Sequence, residues 1–260
     1  MNWRLGVVGS PIAHSLSPQL HEAGLRLAGL SGSSQRVELS LADASLLAGM
    51  LESEFDALSV TSPLKNAAAQ LCDELTEAAS RTQSVNSLLR RGGVVMGAST
   101  DGDGFVDALN ATFGEAVENA HAVVLGAGGA ASSILDALIE RGASSVVVHG
   151  RNEQRVEDLA GRYPNAFSAS LVYRPVDLIV NTIPVAGRDA EAAVLQGVHP
   201  ETIAVDITYD PAESEWRTRY GAAGCRTMNG LPMLAYQAAR QMRWWWDVDL
   251  SGADLLKVLT

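Results

Sequence analysis

The chain has 260 residues, 47% hydrophobic and 19% charged, which is typical of a globular protein long enough for two domains. Its net charge of −11 argues against a general nucleic-acid binder, so anionic ligands would need local positive groups. The apolar stretches are shorter than the roughly 20 residues of a membrane span, and no cleavable signal pattern is visible. Two cysteines, Cys72 and Cys225, fit a reducing cytoplasm. We expect a cytoplasmic monomer or homodimer that binds small molecules, without nucleic-acid or membrane partners.

Strand and helix patterns alternate over the first hundred residues and end in a hairpin, which predicts an open α/β sheet with a mixed edge. A second alternating unit begins at Ala122, and the helices Leu231–Trp246 and Ser251–Leu259 close the chain. The strands predicted in the first unit are Arg4–Val8, Arg36–Leu39, Ala57–Val60, Val85–Leu89 and Val94–Ala98. Its predicted helices are Pro18–Ala28, Ala42–Leu51 and Pro63–Leu71.

A short apolar strand ends at Val60 and is followed closely by a lysine. Ser62 followed by Pro63 predicts a helix N-cap with proline at the first helical position, which places Lys65 in the first turn. The helix dipole disfavours a cation there by roughly 0.3–1 kcal/mol. Lys65 is therefore either a solvated lysine, the simpler interpretation of this stretch alone, or a residue required by a functional site.

A glycine-rich turn, Gly126-Ala127-Gly128-Gly129-Ala130-Ala131, follows the strand beginning at His121 and opens the helix Ala130–Arg141. It matches the dinucleotide-binding pattern G-x-G-x-x-G/A in its required context. Gly126 can make the tight turn, and Gly128 lets the backbone approach a pyrophosphate at the positive end of the helix. The predicted cofactor-binding residues of this turn are Gly126, Ala127, Gly128, Gly129 and Ala130.

The end of the next strand predicts the type of dinucleotide. NAD sites usually carry an acidic residue there, about 20 residues after the glycines. This strand instead ends His149-Gly150-Arg151-Asn152, with Arg155 one turn later. Two guanidiniums can pair with a 2′-phosphate. We therefore predict NADP(H) as the cofactor, bound here by Arg151, Asn152 and Arg155.

A second cap-and-proline pair, Ser17-Pro18, lies in the segment Gly9–Pro18 after the first strand. A serine hydroxyl can donate to an anion while it accepts a backbone amide. Ser15 and Ser17 therefore form either a carboxylate site beside a helix end or part of a plain capped helix.

Taken together, these segments closely resemble the shikimate dehydrogenase (shikimate/quinate dehydrogenase) family, and the resemblance runs nearly end to end. Several ordered motifs at family-like spacing are far more specific than any one of them. The motifs are Gly9–Pro18 (G-S-P-I-x-H-S-x-S-P), Val60–Lys65 (V-T-x-P-x-K), Ser84–Ser87 around Asn86, Thr100-Asp101-Gly102, the glycine turn, Arg151 with Arg155, Asp206–Pro211 around Tyr209, and Gly230–Gln237 (G-L-x-M-L-x-x-Q).

The resemblance implies an α/β fold of two domains with the active site in the cleft between them. The first would be an open α/β substrate domain with a mixed sheet, residues 1–101 plus 230–260. The second would be a Rossmann-type NADP-binding domain, residues 102–229. The implied reaction is the reversible NADPH-dependent reduction of 3-dehydroshikimate to shikimate in aromatic amino-acid biosynthesis.

The resemblance also implies roles for individual residues. Lys65 would act as general acid and base, and Asp101 would position it and bind a substrate hydroxyl. No metal is expected, because the five histidines show no ligand spacing with acids. The further substrate-binding residues implied are Ser15, Ser17, Thr61, Asn86, Tyr209 and Gln237. The further cofactor-binding residues implied are Thr182, Ile207 and Gly230.

The sequence departs from the family pattern near the expected site. Ser59 and Ser99 stand where the family has asparagine, and Pro232 stands where it often has glycine. The two serines shorten polar side chains, which bears on substrate preference. The alternatives are a quinate/shikimate or aminoshikimate dehydrogenase and a non-catalytic NADP-binding regulator of the same fold. The pair Ser15 and Ser17 fits the shikimate pattern better than the quinate one.

Overall fold

The computed structural model describes residues 2–168, 175–183, 197–211 and 213–260. The chain forms two compact units, Met1–Phe105 with Leu234–Thr260, and Val106–Met233. Within the described ranges each unit contains a six-stranded sheet. No helix in these ranges is long and apolar enough to cross a membrane.

The sheet of the first unit is mixed, as predicted, with strand order β2-β1-β3-β5-β6-β4. Parallel pairs join β1 to β2 and β3, and antiparallel pairs join β3 to β5 and β5 to β6. Its strands are β1 (Asn2–Gly9), β2 (Ser31–Glu38), β3 (Ala57–Val60), β4 (Glu74–Leu75), β5 (Ser87–Arg91) and β6 (Val94–Ala98). Its helices in the first part of the chain are α1 (Ser17–Leu27), α2 (Leu46–Ser53), α3 (Lys65–Leu71) and α4 (Glu77–Thr82).

The hairpin between β5 and β6 forms where the sequence predicted it. Arg91 pairs with Val94, so the loop is the two residues Gly92 and Gly93, both with positive φ. A two-residue turn of this kind needs left-handed backbone at both positions, which glycine adopts without a steric penalty.

Strand β2 begins five residues before the predicted Arg36–Leu39. Its serine-rich first half has no apolar alternation, and most of its side chains are exposed. It forms nevertheless because its backbone pairs with β1 from Ser31 to Glu38. An edge strand of this kind is held by the ladder rather than by side-chain burial, so periodicity cannot detect it.

Both predicted serine caps are wrong. The Leu64 amide donates to the Thr61 carbonyl at 3.0 Å, so a turn precedes α3, and the fully buried Leu64 is drawn into the core before the helix begins. Helix α1 starts at Ser17 itself, since the Gln19 and Leu20 amides both donate to the carbonyl of Leu16, which is the N-cap. Lys65 remains in the first turn of its helix, as its first residue.

The second unit holds a wholly parallel sheet of strand order β12-β11-β10-β7-β8-β9. This is the Rossmann order, which confirms the predicted fold class. Its strands are β7 (His121–Leu125), β8 (Ser145–His149), β9 (Ala166–Ser168), β10 (Leu178–Asn181), β11 (Ile203–Asp206) and β12 (Arg226–Met228). Its helices are α6 (Gly129–Glu140), α7 (Glu153–Ala160) and α8 (Glu215–Ala222), and the chain also contains α5 (Asp101–Phe113), α9 (Gly230–Trp246) and α10 (Gly252–Leu256).

A buried histidine ties three elements of the first unit together. His21, on α1, is fully buried, and its ring lies edge-on to Trp245 with centroids 5.2 Å apart. Its Nδ1 lies 2.8 Å from Ser34 Oγ and its Nε2 lies 3.2 Å from Gln241 Oε1. Burial lowers the pKa of His21 to about 4, against a weaker opposing effect of the Gln241 bond. The ring is therefore neutral at neutral pH.

This burial predicts acid sensitivity of the first unit. The unfolded chain takes up a proton on His21 near pH 6.5 and the folded chain only near pH 4, so stability is full above about pH 6.5. The free energy of unfolding should fall by about 3 kcal/mol as the pH drops from 6.5 to 4. His21→Gln should flatten that slope in urea titrations followed by tryptophan fluorescence, since four of the five tryptophans lie in this unit.

The matched control is His14→Gln, which changes an exposed histidine of the same unit. It should leave the acid slope as in the wild type. Equal slopes for the wild type and His21→Gln would contradict the assignment.

Candidate active site

The predicted substrate-side residues of the first unit lie at one end of its strands, where β1, β3 and β6 finish and β5 begins. The carboxyl ends of the parallel strands β1 and β3 lead into the segments with Ser15 and Lys65, and the Ser10 amide donates to the Ser62 carbonyl at 3.0 Å. Strand β5 runs the other way, so Asn86, just before it, lies at the same end, where the Val60 amide donates to its carbonyl at 2.7 Å. Strand β6 ends there too and leads to Asp101. This end of the strands gathers side chains that are far apart in the sequence.

Lys65 and Asp101 form an ion pair at this end of the strands. The Nζ of Lys65 donates to Oδ2 of Asp101 at 2.5 Å, and the two side chains are 14% and 6% exposed. The surface pair Lys257–Asp254, by comparison, is 75% and 53% exposed. A pair this sheltered from water is costly unless other groups complete its hydrogen bonds. The solvated interpretation of Lys65 is therefore wrong.

Asn86 supplies one of the hydrogen bonds that complete the Lys65–Asp101 pair. Its Nδ2 donates to Asp101 Oδ1 at 2.9 Å and to Gln237 Oε1 at 3.0 Å, and its Oδ1 accepts the Thr100 amide at 2.8 Å. Thr100 Oγ1 donates to the Gln237 carbonyl at 3.2 Å. The carboxylate thus keeps one oxygen for the lysine and one for the asparagine. The predicted residues Lys65, Asn86, Asp101 and Gln237 form one connected network.

Three predicted hydroxyl groups remain open to a ligand. Ser15 Oγ accepts the Ser17 amide and keeps its own proton for donation. Neither the Ser17 hydroxyl nor that of Thr61 is bonded to a protein group in the part of the chain that the structure describes. Ser15 and Ser17 are each 6% exposed, so their hydroxyls are largely sheltered from bulk water.

Ser59 adds a fourth sheltered hydroxyl. It lies on β3, opposite Ser87 on β5, and is 7% exposed. Within the described ranges, no hydrogen bond engages its side chain. Ser99, the other serine that replaces a family asparagine, is half-buried between β6 and α5 and has an interaction of its own.

Sequence reasoning missed a second layer behind Asn86. The Nε2 of Gln241 donates to the Asn86 carbonyl at 3.0 Å and to Ser87 Oγ at 2.6 Å, and its Oε1 faces His21. Because Gln241 donates through its nitrogen, His21 must be the donor in their bond, and its Nδ1 accepts from Ser34. Gln241 follows Gln237 by four residues, so both lie on one face of α9, and that spacing was the available signal.

In the second unit, the glycine turn has the geometry of a phosphate-binding loop. Gly126 has φ +111°, and a Cβ there would overlap Thr182 Oγ1. Gly128 is the N-cap of α6, and nothing lies within 4 Å of where its Cβ would be. The Thr182 hydroxyl donates to the Leu125 carbonyl at 2.7 Å, which fixes the end of β10 beside the turn. The open face at Gly128 fits a pyrophosphate at the helix end.

The residues predicted to select NADP surround the start of α7. Arg151 and Arg155 are exposed, and neither guanidinium forms an ion pair in the part of the chain that the structure describes. Asn152 is the helix N-cap and accepts the Arg155 amide at 3.0 Å. The first helical position is Glu153, an exposed carboxylate. The two arginines are therefore available to an anion, and part of Asn152 is used by the cap.

A buried carboxylate organises the remaining predicted residues of this unit. Asp206 accepts from the hydroxyls of Ser214 at 2.6 Å and Thr208 at 2.8 Å, and so holds the turn that carries half-buried Tyr209. A Cβ at Gly230 would overlap the Ile207 carbonyl, so only glycine fits this approach. Tyr209, Ile207 and Gly230 thus lie together in the second unit.

The chemistry available from these residues is acid–base and polar recognition. In the first unit, one ammonium shares a hydrogen-bond network with a carboxylate, two amides and the Thr100 hydroxyl. Among the described residues, no group of three His, Cys, Asp or Glu is placed to hold a metal ion. The second unit offers a glycine turn and two cations.

Two family models match the chain. The model described as the shikimate dehydrogenase substrate-binding domain matches residues 7–88. The model described as shikimate / quinate 5-dehydrogenase matches residues 108–186. The matched segments hold the Lys65 motif and the glycine turn, respectively.

Curated proteins and solved structures agree with these models. The NADP(+) shikimate dehydrogenase of Oleidesulfovibrio alaskensis is 37% identical over 260 residues, covering 96% of this chain and 91% of its own. That of an Exiguobacterium species is 33% identical, covering 94% and 93%. The structure of Thermus thermophilus shikimate 5-dehydrogenase in complex with NADP(H) and shikimate has a TM-score of 0.88 at 32% identity, with 98% of each chain covered. The chain belongs to the shikimate dehydrogenase family.

Proposed function

We propose that the chain is a shikimate dehydrogenase that reversibly reduces 3-dehydroshikimate to shikimate with NADPH. The observation that carries the proposal is the sheltered Lys65–Asp101 pair, joined to the amide groups of Asn86 and Gln237 in one hydrogen-bond network. Shikimate dehydrogenases that match this chain over nearly the whole length of both proteins support the proposal. The two free cysteines, Cys72 and Cys225, fit a cytoplasmic enzyme, working as a monomer or homodimer.

The two units divide the work in this proposal. The first unit binds the substrate, because the lysine, the amides and most of the unused hydroxyls lie in it. The second unit binds NADP(H) at the ends of its parallel strands, where the Rossmann strand order reverses.

Lys65 carries the proton. When the substrate ketone is reduced, its oxygen gains negative charge, and the ammonium of Lys65 donates a proton to it. In the oxidation direction the neutral amine accepts that proton. Asp101 fixes the position of Nζ through their 2.5 Å bond and offers its carboxylate to a substrate hydroxyl.

Other groups of the first unit orient the substrate. Asn86 and Gln237 present amides, and Thr61 a hydroxyl, to the ring hydroxyls, while Ser15 and Ser17 donate to the carboxylate. The Ser15 and Ser17 hydroxyls are sheltered, so their bonds to the substrate carboxylate compete little with bonds to bulk water. Tyr209, from the second unit, is proposed to contact the substrate as well.

The second unit fits NADP(H) through backbone and charge. NADP(H), when bound, supplies or accepts the hydride. The open face at Gly128 and the first turn of α6 receive its pyrophosphate, beside Ala127, Gly129 and Ala130. Arg151 and Arg155 pair with the 2′-phosphate, with Asn152 beside them. Thr182, Ile207 and Gly230 line the remaining part of the cofactor site.

Lys65→Met should lower kcat by roughly 10²–10⁴ while changing KM for shikimate much less, because it removes the proton donor and leaves the binding groups. Steady-state rates of shikimate oxidation measure both constants. Lys257→Met, which removes an exposed lysine that is also paired with an aspartate, should behave as the wild type. An unchanged kcat with a raised KM would reduce Lys65 to a binding group.

Arg151→Ala should raise KM for NADP by roughly tenfold or more, since a charge-assisted bond to the 2′-phosphate is lost. KM for NAD, which lacks that phosphate, should hardly change. Arg141→Ala, at the other end of α6, serves as the control of equal charge change. Equal losses for NADP and NAD would disprove the 2′-phosphate assignment.

The substrate class is tested by kcat/KM for shikimate, quinate and aminoshikimate, each with NADP and with NAD. Shikimate with NADP should exceed the other combinations by about tenfold or more, because unmatched buried polar groups penalise the wrong substrate. A quinate value equal to that of shikimate would instead identify a quinate/shikimate dehydrogenase. No turnover of any of them would favour the non-catalytic regulator.

A further inference from the structure

Arg36 reaches from the edge strand β2 to the loop that carries the two candidate carboxylate-binding serines. Its Nε and one terminal nitrogen donate to the Ser15 carbonyl, at 2.8 and 2.5 Å. The guanidinium is thereby anchored to the backbone of a residue whose hydroxyl is a candidate carboxylate donor. Three of its five N–H groups take no part in this anchor.

The charge of Arg36 is not neutralised by an ion pair. In the ranges that the structure describes, it contacts no carboxylate within salt-bridge distance. Glu38 follows two residues later on the same side of β2, but its Oε1 accepts from the hydroxyl of Ser10 at 2.9 Å. The guanidinium therefore keeps its positive charge outside any ion pair, while the Glu38 carboxylate keeps its own negative charge beside Ser10.

The start of α1 cannot supply the usual amide donors to an anion. The Ser17 amide is taken by Ser15 Oγ, and Pro18 has no N–H. The amides of Gln19 and Leu20 both donate to the Leu16 carbonyl. A carboxylate at this helix end therefore depends on hydroxyl groups and on charge.

The overall charge of the chain increases that dependence. A protein of net charge −11 repels an anionic substrate at long range, so a local cation raises the occupancy of an anion site. Arg36 is the arginine whose side chain bonds the Ser15 backbone, and the residue is exposed to solvent.

We propose that Arg36 is a specificity-determining residue for the substrate carboxylate, which orders the Ser15–Ser17 loop through the Ser15 carbonyl and attracts the anion by its charge. This rests on the proposed function of the first unit. It assigns to Arg36 a preference for the carboxylate form of the substrate over an uncharged form.

Arg36→Gln and Arg36→Lys separate the two contributions. Glutamine keeps a donor for the Ser15 carbonyl but has no charge, whereas lysine keeps the charge but has no fork of donors. With saturating NADP, Arg36→Gln should raise KM for shikimate roughly tenfold with little effect on kcat. Arg36→Lys should lie closer to the wild type. Arg26→Gln, an equal charge change on the exposed last turn of α1, should leave KM unchanged.

Two further measurements respond to the charge of Arg36 but not to a purely structural role. They are the salt dependence of KM for shikimate and the preference for shikimate over its uncharged methyl ester. Raising the salt from about 20 to about 500 mM should raise KM for shikimate in the wild type and much less in Arg36→Gln, because screening removes an attraction that the variant lacks. The preference for shikimate over its methyl ester should fall by a similar factor in Arg36→Gln. At each salt concentration, KM for NADP should be the same in Arg36→Gln as in the wild type.

The outcomes are distinguishable. If Arg36→Gln has the KM of Arg26→Gln, the assignment is overturned while the proposed function stands. If both Arg36 variants raise KM equally with unchanged salt dependence, Arg36 only orders the loop, and the charge assignment is overturned. A wild type that neither binds nor oxidises shikimate, measured by calorimetry and by initial rates, overturns both proposals.

Discussion

The first unit depends on the cost of keeping a lysine and an aspartate away from water. The Lys65–Asp101 pair is stable in its place only because Asp101 also accepts from Asn86, and Asn86 is in turn held by Thr100 and Gln237. Breaking such a set at one member leaves a buried charge or amide without a partner. The mixed sheet meets this constraint by bringing the ends of β3 and β6 and the start of β5 together, where α9 adds the glutamine.

In the second unit, the candidate binding site is formed mainly by backbone rather than by side chains. Its parallel strands present their carboxyl ends together, and Gly128 leaves open space at the start of α6 for the proposed dinucleotide. Side chains serve mainly to hold the turns. Thr182 bonds back to the strand beside the glycine turn, and Asp206 gathers two hydroxyls around the turn of Tyr209. Because few groups here are specific, the proposed choice between dinucleotides rests on Arg151 and Arg155.

An acidic protein that handles anions must place its positive groups individually. Lys65 is held by a carboxylate, Arg36 by a backbone carbonyl, and Arg151 stands unpaired within the described ranges. These three environments differ in how much of the positive charge remains free to interact with an anionic ligand. The ion pair orients an ammonium for the proposed proton transfer, whereas the carbonyl orients a guanidinium and leaves its charge available.

Local sequence patterns were sufficient to predict the fold class and the family of this protein. Alternating periodicity, the Gly92-Gly93 turn and the glycine turn at Gly126 predicted the two α/β units, and spaced motifs predicted the family, both confirmed by the topology and the relatives. Only the tertiary structure decided where α3 begins, that β2 extends back to Ser31, and that His21 meets Gln241 across 220 positions. Such features depend on pairing and burial between distant segments. Periodicity and capping rules describe neighbours along the chain, so they cannot contain that information.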